Sequence, residues 1–310
     1  MATEPPSSPL PSLRHWKARR VLDVRAKDPV LSSWGVNTHD VTIWECPVTG
    51  LRFRQAQPLE NLRGYYASDY HENMTGGQDA SLRSRAYRKE NELRVTHLQK
   101  YLHTGPVLDV GCSHGDFALA MKQAGLEAFG LDIAPDACEK SKMFLGDDHV
   151  YCGTLENLAP ALPLRFSAVT LMDVIEHCGD VVELLHAIHH VLKPEGILFL
   201  RTPTLSSPFH FVGTLSYWLT FGLYKTALFK LYHAEHLYFF NESSMRRLLD
   251  DCGFETLEVV ADPLCWENFR TAEMRQGLVG NALLSAVYFA GRAVGRGHGM
   301  KVVARRRDSS

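Results

Sequence analysis

The sequence predicts an α/β protein built on a doubly wound, mostly parallel sheet of about seven strands, with a helical N-terminal extension and an aromatic insertion after the fifth strand. Three observations carry this. Between Val107 and Leu200, short apolar runs alternate with helical patterns, as βαβ units require. The first of those runs ends in a glycine-rich turn that opens directly into a helix. With 310 residues, 45% of them hydrophobic and 22% charged, the chain can bury a sizeable core, which excludes a mainly disordered or polytopic membrane protein.

Residues 1–15 are Pro/Ser-rich and read as a disordered lead. Residues 16–80 form an extension or cap, with a β-like run Val41-Thr-Ile-Trp-Glu-Cys46 and turn chemistry at Pro47-Val-Thr-Gly50. A third unit, residues 81–310, opens with a helix over 81–102. Leu82, Leu93, Leu98 and Leu102 are spaced for one side of it, and Gly105-Pro106 stops it. Strands are expected at 107–111, 128–132, 149–152, 167–173 and 197–200. Helices fall between them at 116–125, 135–144 and 180–192, with a turn at Lys193-Pro-Glu-Gly196. Residues 204–240 interrupt the alternation with a dense aromatic insertion. Residues 241–253 form a helix with a polar N-cap and a glycine end. The last strands lie at 256–261 and 300–304.

The net charge of −2 supplies no global positive field for nucleic acid, so a nucleic-acid partner is not favoured. Seven cysteines, none in a C-x-x-C pair, suit a reducing cytoplasm rather than a disulfide framework. The first residues lack a basic stretch followed by an apolar run, so no secretory signal is expected.

The most informative segment is Asp109-Val-Gly111-Cys-Ser113-His-Gly115-Asp. A strand ending in glycines brings backbone N–H groups close to a ligand. The dinucleotide template G-x-G-x-x-G fails twice here, at Ser113 and at Asp116. The D-x-G-x-x-x-G spacing resembles instead motif I of class I S-adenosylmethionine (SAM)-dependent methyltransferases, a Rossmann-like fold. The likeness continues through Gly130-Leu-Asp132-Ile133, Gly153-Thr154-Leu155, Asp173-Val-Ile-Glu176-His177 and Leu192-Lys-Pro-Glu-Gly196. The resemblance implies SAM as cofactor, held by Asp109, Gly111, Ser113, Gly115, Asp132, Ile133, Thr154, Leu155 and Asp173. Asp132 takes the ribose hydroxyls, and Thr154 and Leu155 take the adenine.

His233-Ala-Glu-His236-Leu-Tyr-Phe-Phe-Asn241 resembles the branch that contains ubiquinone-type O-methyltransferases and bacterial natural-product or sugar methyltransferases. Many of that branch carry a cysteine knuckle before an aromatic segment. Here Thr49 stands in place of the second cysteine, so a zinc knuckle is rejected and Cys46 reads as a buried apolar residue. The segment Gly64-Tyr65-Tyr66-Ala-Ser-Asp-Tyr70 is intact, and Tyr65, Tyr66, Tyr70 and His233 are the candidate acceptor contacts.

Methyl transfer needs a nucleophile held in line and often a base. His177, just beyond the fourth strand, is the candidate base, with Glu176 and His236 beside it; a structural histidine packed at the strand end is the alternative. On a helical turn, Asp173, Glu176 and His177 share a face. With His236 they form a D-x-x-E-H…H set that resembles metal-assisted members of the family, so a divalent metal is compatible though not favoured. His186, His189 and His190 read as a solvated helix face. The insertion reads as a cap over the acceptor pocket, with reversible contact with a membrane or lipid-linked substrate as the second reading and no stable span. Residues 278–289 read as a packing or dimer helix, which leaves a homodimer open. The expected function is SAM-dependent methylation of a small molecule, on the oxygen of a natural product, sugar or quinone-like compound. RNA 2′-O-methylation, N- or C-methylation and a non-catalytic SAM-fold binding protein are the alternatives.

Overall fold

The computed structural model describes residues 19–24, 41–54, 80–223, 225–233, 235–262, 266, 270 and 277–308. The central sheet contains β4 (Pro106–Val110), β5 (Glu127–Asp132), β6 (Val150–Cys152), β7 (Phe166–Met172), β8 (Leu192–Pro203), β10 (Phe254–Asp262) and β11 (Gly299–Arg306). Their order is β10-β11-β8-β7-β4-β5-β6, with β11 antiparallel to both of its neighbours and β7, β4, β5 and β6 paired in parallel. The order reverses between β4 and β7, and open α/β sheets bind ligands at such a switch point, beyond the carboxyl ends of the strands.

Each strand was expected where it lies because its neighbours punctuate it. Helix α2 (Asp116–Gln123) follows Gly115, α3 (Pro135–Leu145) begins on proline, and α4 (Val181–Val191) is capped by Asp180, which accepts from the N–H groups of Val182 and Glu183 at 2.9 and 3.1 Å. The turn expected at 193–196 is present as an interruption within β8. The pairing jumps from Phe166↔Leu192 to Ala168↔Ile197, and Glu195 takes φ +59°.

Both faces of the sheet are apolar, as buried parallel strands require. Leu108, Val169, Leu198 and Leu200 face a cluster with α4, while Val107, Ala168, Ile197 and Phe199 face a second cluster. Helix α1 (Ala80–Leu98) packs there through Val95 and Leu98. Leu93 does not share that face. It is exposed, because five residues along a helix turn it about 140° away from the buried Leu98.

The helical N-terminal extension is not what the described residues form. Strands β1 (Arg19–Val24), β2 (Val41–Glu45) and β3 (Arg52–Arg54) precede α1, in a four-stranded sheet of order β1-β2-β3-β9 in which β9 is Tyr238–Phe239. The β-branched and aromatic residues of Val41-Thr-Ile-Trp favour a strand, and the Cys46–Gly50 turn returns it. The closing strand β9 (Tyr238–Phe239) comes from the far side of the insertion. The insertion supplies α5 (Pro208–Leu219) and α6 (Thr226–Leu231). Leu228, Phe229 and Tyr232 pack with Val41, Ile43 and Phe239 in a third apolar cluster, so the N-terminal strands and the insertion share one core. Cys46 is fully buried. Helix α7 (Glu242–Asp251) starts at a capping box between Asn241 and Ser244, and α8 (Gly277–Ala293) precedes β11. Residues 1–15, Cys265, and Tyr65, Tyr66 and Tyr70 lie outside the described residues.

Candidate functional site

The glycine loop leaves β4 at Gly111, whose φ is +73°, and a Cβ there would lie 2.4 Å from Val174 Cγ2. The loop is strapped over the end of β5. Gly111 and Cys112 donate their N–H groups to Leu131 O at 2.7 and 3.1 Å, and Ser113 donates to Asp132 Oδ2 at 2.8 Å. Ser141 Oγ donates to Ser113 O at 2.7 Å. Gly111→Ala is expected to cost about 2 kcal/mol, since both the conformation and the space are denied. A melting experiment should show a lower Tm, and an unchanged Tm would mean the loop relaxes freely.

Asp132 is buried, and its second oxygen accepts from Ala134 N–H at 2.9 Å. Each carboxylate oxygen thus retains lone-pair capacity beyond its one backbone donor. Ile133 beside it is half-buried, Thr154 follows the end of β6, and Leu155 is buried beneath it. Asp109 lies lower than the motif implies. It is 2% exposed and accepts from Thr170 Oγ1 at 2.7 Å, and burial pushes its carboxyl up to about 7. Its hydrogen bond ties β4 to β7.

Beyond β7 the chain does not continue as a helix. Asp173 takes φ +60°, a left-handed conformation that costs a non-glycine residue energy and needs support. Arg201 on β8 gives that support. Its carbonyl accepts from Asp173 N–H at 2.9 Å, its Nη1 pairs with Asp173 Oδ1, and its Nε reaches Asp262 Oδ2 at 3.2 Å. The shared helical face expected for Asp173, Glu176 and His177 is therefore not formed, because Asp173 is turned toward a buried guanidinium. A single turn follows, closed by His177 N–H donating to Val174 O at 2.9 Å.

Glu176, His177 and His236 do come together, with donor atoms within 4.8 Å of one another, and no other such group of three is present among the described residues. Glu176 is 1% exposed. Its Oε2 accepts from Thr202 Oγ1 at 3.0 Å, while Oε1 is buried without a hydrogen bond. Burial, aided by the Asp173 charge, pushes its carboxyl up to about 8. His177 Nδ1 lies 3.1 Å from Glu235 O, so the ring donates there and carries its lone pair on Nε2. Burial lowers its pKa from the ordinary histidine value, and lowers that of His236 further, with His177 adding to the effect. The two rings meet edge to face with centroids 4.7 Å apart, and His233, largely exposed, lies 5.3 Å from His236. One carboxylate and two imidazoles form a donor set that can hold a divalent cation. The fourth expected ligand, Asp173, is committed to Arg201.

A family profile described as "Methyltransferase domain" matches residues 80–259, more than half of the chain. The chain belongs to this methyltransferase family. Its fold is that of the class I SAM-dependent enzymes, with the same seven-stranded sheet. The chain is 35% identical over 100 residues to the ubiquinone biosynthesis O-methyltransferase of Xanthomonas campestris pv. campestris (strain B100), covering 31% of this chain and 42% of that protein. It is 32% identical over 142 residues to the enzyme of the same description from Neisseria meningitidis serogroup C, covering 42% and 59%. The chain thus spans about half the length of these relatives. Among solved structures, the magnesium protoporphyrin IX methyltransferase of Synechocystis PCC 6803 with bound SAH has a TM-score of 0.52 at 14% identity, covering 80% of this chain and 100% of that one.

Several residues at the candidate site escaped the motif spacing. Arg201 carried a signal: it is a charge directly after the apolar run Ile197-Leu-Phe-Leu200 of a strand buried on both faces. His210 and His298 carried none. Burial pushes His210 on α5 down to about 3 and His298, in the turn before β11, to about 4, and His298 adds to the lowering of both His210 and His236. His186 and His190 are exposed, as a solvated face predicts, while His189 rests edge-on against Phe254.

Proposed function

We propose that the chain transfers the methyl group of SAM to a hydroxyl of a small molecule. The observation that carries this is the convergence of two devices at one carboxyl edge of the sheet. One is the glycine loop pinned onto Asp132. The other is His177, held in the tautomer that presents Nε2 and kept neutral by burial.

Bound SAM supplies an electrophilic methyl group on its sulfonium sulfur. Asp132 would accept the ribose hydroxyls, the loop at Gly111, Ser113 and Gly115 would bring its backbone close to the cofactor, and Ile133, Thr154 and Leu155 would border the adenine. Asp109 would stand at the end of β4 beneath the cofactor, and Asp173, fixed by Arg201, would close the methionine end. His177 takes the acceptor's proton as the methyl group transfers. Glu176 and His236 are positioning residues that hold His177 and keep its surroundings free of positive charge. The acceptor lies toward His233, with Tyr65, Tyr66 and Tyr70 as further contacts. The near-neutral charge supports a small molecule over nucleic acid.

Incubation with SAM and a panel of phenolic and sugar hydroxyls should yield S-adenosylhomocysteine with at least one acceptor. Absence of SAM binding by calorimetry would sink the proposal. Activity is expected to survive exhaustive chelation, and its loss with recovery on adding Mg²⁺ would give the Glu176–His177–His236 group a metal-binding role.

A further inference from the structure

The amino edge of the central sheet carries an open cleft of about 630 Å³, at the opposite end of the strands from the glycine loop and His177. Its lining comes from four places. Arg165 stands one residue before β7 begins, and His186, His189 and His190 lie on the last turns of α4. Arg306 ends β11, and Cys252-Gly253 links α7 to β10. Because β11 runs antiparallel to β8 and to β10, its last residues lie beside the first residues of both. Positions i, i+3 and i+4 put the three histidines on one side of their helix. Gly253, at φ +85°, lets the chain pass close to that side, since a Cβ there would sit 3.2 Å from His189 Cδ2 and Nε2. The length of β7, roughly 20 Å, separates this edge from Asp173.

The hydrogen bonds fix what each group has left to offer. Arg165 Nη2 lies 3.2 Å from His190 Nε2; a guanidinium only donates, so that ring nitrogen accepts and the proton sits on Nδ1. His189 Nε2 donates to Arg307 O at 3.2 Å and holds the end of β11 against α4. Arg306 Nη1 donates to Leu192 O, and its Nε is buried without a hydrogen bond. The acids nearby are engaged elsewhere. Arg307 pairs with Asp250 at 2.6 Å, and Arg305, on the other face of β11, lies 3.3 Å from Glu195 and 4.0 Å from Glu255. Asp308 acts on His189, where burial and the Arg306 charge outweigh it. Burial pushes the Cys252 thiol up to about 12, so it adds no negative charge near neutral pH. Among the described residues no carboxylate pairs with Arg165 or Arg306, and the cleft is left with two uncompensated guanidiniums and imidazole N–H donors.

We propose that this cleft binds a phosphate-bearing small molecule, with Arg165 and Arg306 taking the phosphate oxygens and His186 and His190 donating beside them. Two like charges lining one cleft repel until an anion lies between them, and planar guanidinium forks match phosphate oxygens. A phosphate presents more acceptor oxygens than a carboxylate, as donors arriving from β7, β11 and α4 require. The volume falls in the range of small-molecule sites, which leaves room for the group that carries the phosphate. The cleft lies away from the cofactor edge, so its ligand and SAM bind together. Binding is read without turnover and stands or falls separately from methyl transfer.

The test is calorimetric titration of the full chain with pyrophosphate, against acetate at equal ionic strength, with and without saturating S-adenosylhomocysteine. Pyrophosphate is expected to bind saturably, acetate not to bind, and S-adenosylhomocysteine to leave the pyrophosphate affinity unchanged. Arg165→Gln should weaken pyrophosphate binding by about tenfold or more, the effect of losing one charge-assisted hydrogen bond. Arg165 is exposed, so the circular dichroism and SAM affinity of this variant should match the parent. Arg292→Gln, which removes an exposed charge from α8 outside the cleft, should bind as the parent does. Lack of saturable binding by the parent would overturn the proposal, as would equal binding by Arg165→Gln or displacement of pyrophosphate by S-adenosylhomocysteine. Equal weakening by Arg292→Gln would reduce the effect to net charge and overturn it too.

Discussion

Replacing Asp132 by alanine is expected to weaken SAM binding by at least about 100-fold, because two charge-assisted hydrogen bonds to the ribose are lost together. The loss has a second source. The same carboxylate accepts from Ser113 N–H and Ala134 N–H, so its removal also frees the glycine loop from the end of β5. Calorimetric titration with SAM reads the first effect, and the Tm without cofactor reads the second. Asp132→Asn separates them, since the amide oxygen can keep one loop contact while losing the charge. An Asp132→Ala protein that binds SAM as tightly as its parent would remove the ribose assignment.

His177→Ala should lower kcat by about 100-fold or more while leaving SAM affinity nearly unchanged, as removal of a general base does. The pH dependence adds a second readout. A base acts in its neutral form, and burial lowers the pKa of His177 below the ordinary histidine value. Activity of the parent should therefore rise with pH through that lowered value and be level around neutrality. In His177→Ala this acidic limb should vanish. A variant with full kcat and an unaltered profile would make His177 a packing residue at the end of β7.

Much of the cofactor half of the site was legible because it is local. The strand, the glycine turn and the following helix occupy one continuous stretch from β4 to α2, and short apolar runs announce the strand that carries Asp132 and the one that ends just before Thr154. Covalent neighbourhood alone brings Gly111, Ser113 and Gly115 into one loop. The acceptor half was legible only as residue types. His177 and His236 were picked out by motif, but nothing in their spacing of 59 positions sets their rings 4.7 Å apart. The helical spacing drawn through Asp173, Glu176 and His177 failed for a specific reason. A buried guanidinium on a different strand draws Asp173 into a left-handed conformation, and that interaction spans 28 positions.

The N-terminal strands show the same division. The run at 41–46 reads as a strand from its β-branched and aromatic residues, yet its sheet is completed by pairing Phe53 with Tyr238 across the whole central domain of the chain. The sequence by itself determined the alternation of strands and helices and the residues of the glycine loop, since these follow from patterns within one or two elements. Only the tertiary structure decided which charges are paired and which histidines converge. Those depend on contacts between distant segments, whose pairing is selected by burial and charge neutralisation rather than by spacing along the chain.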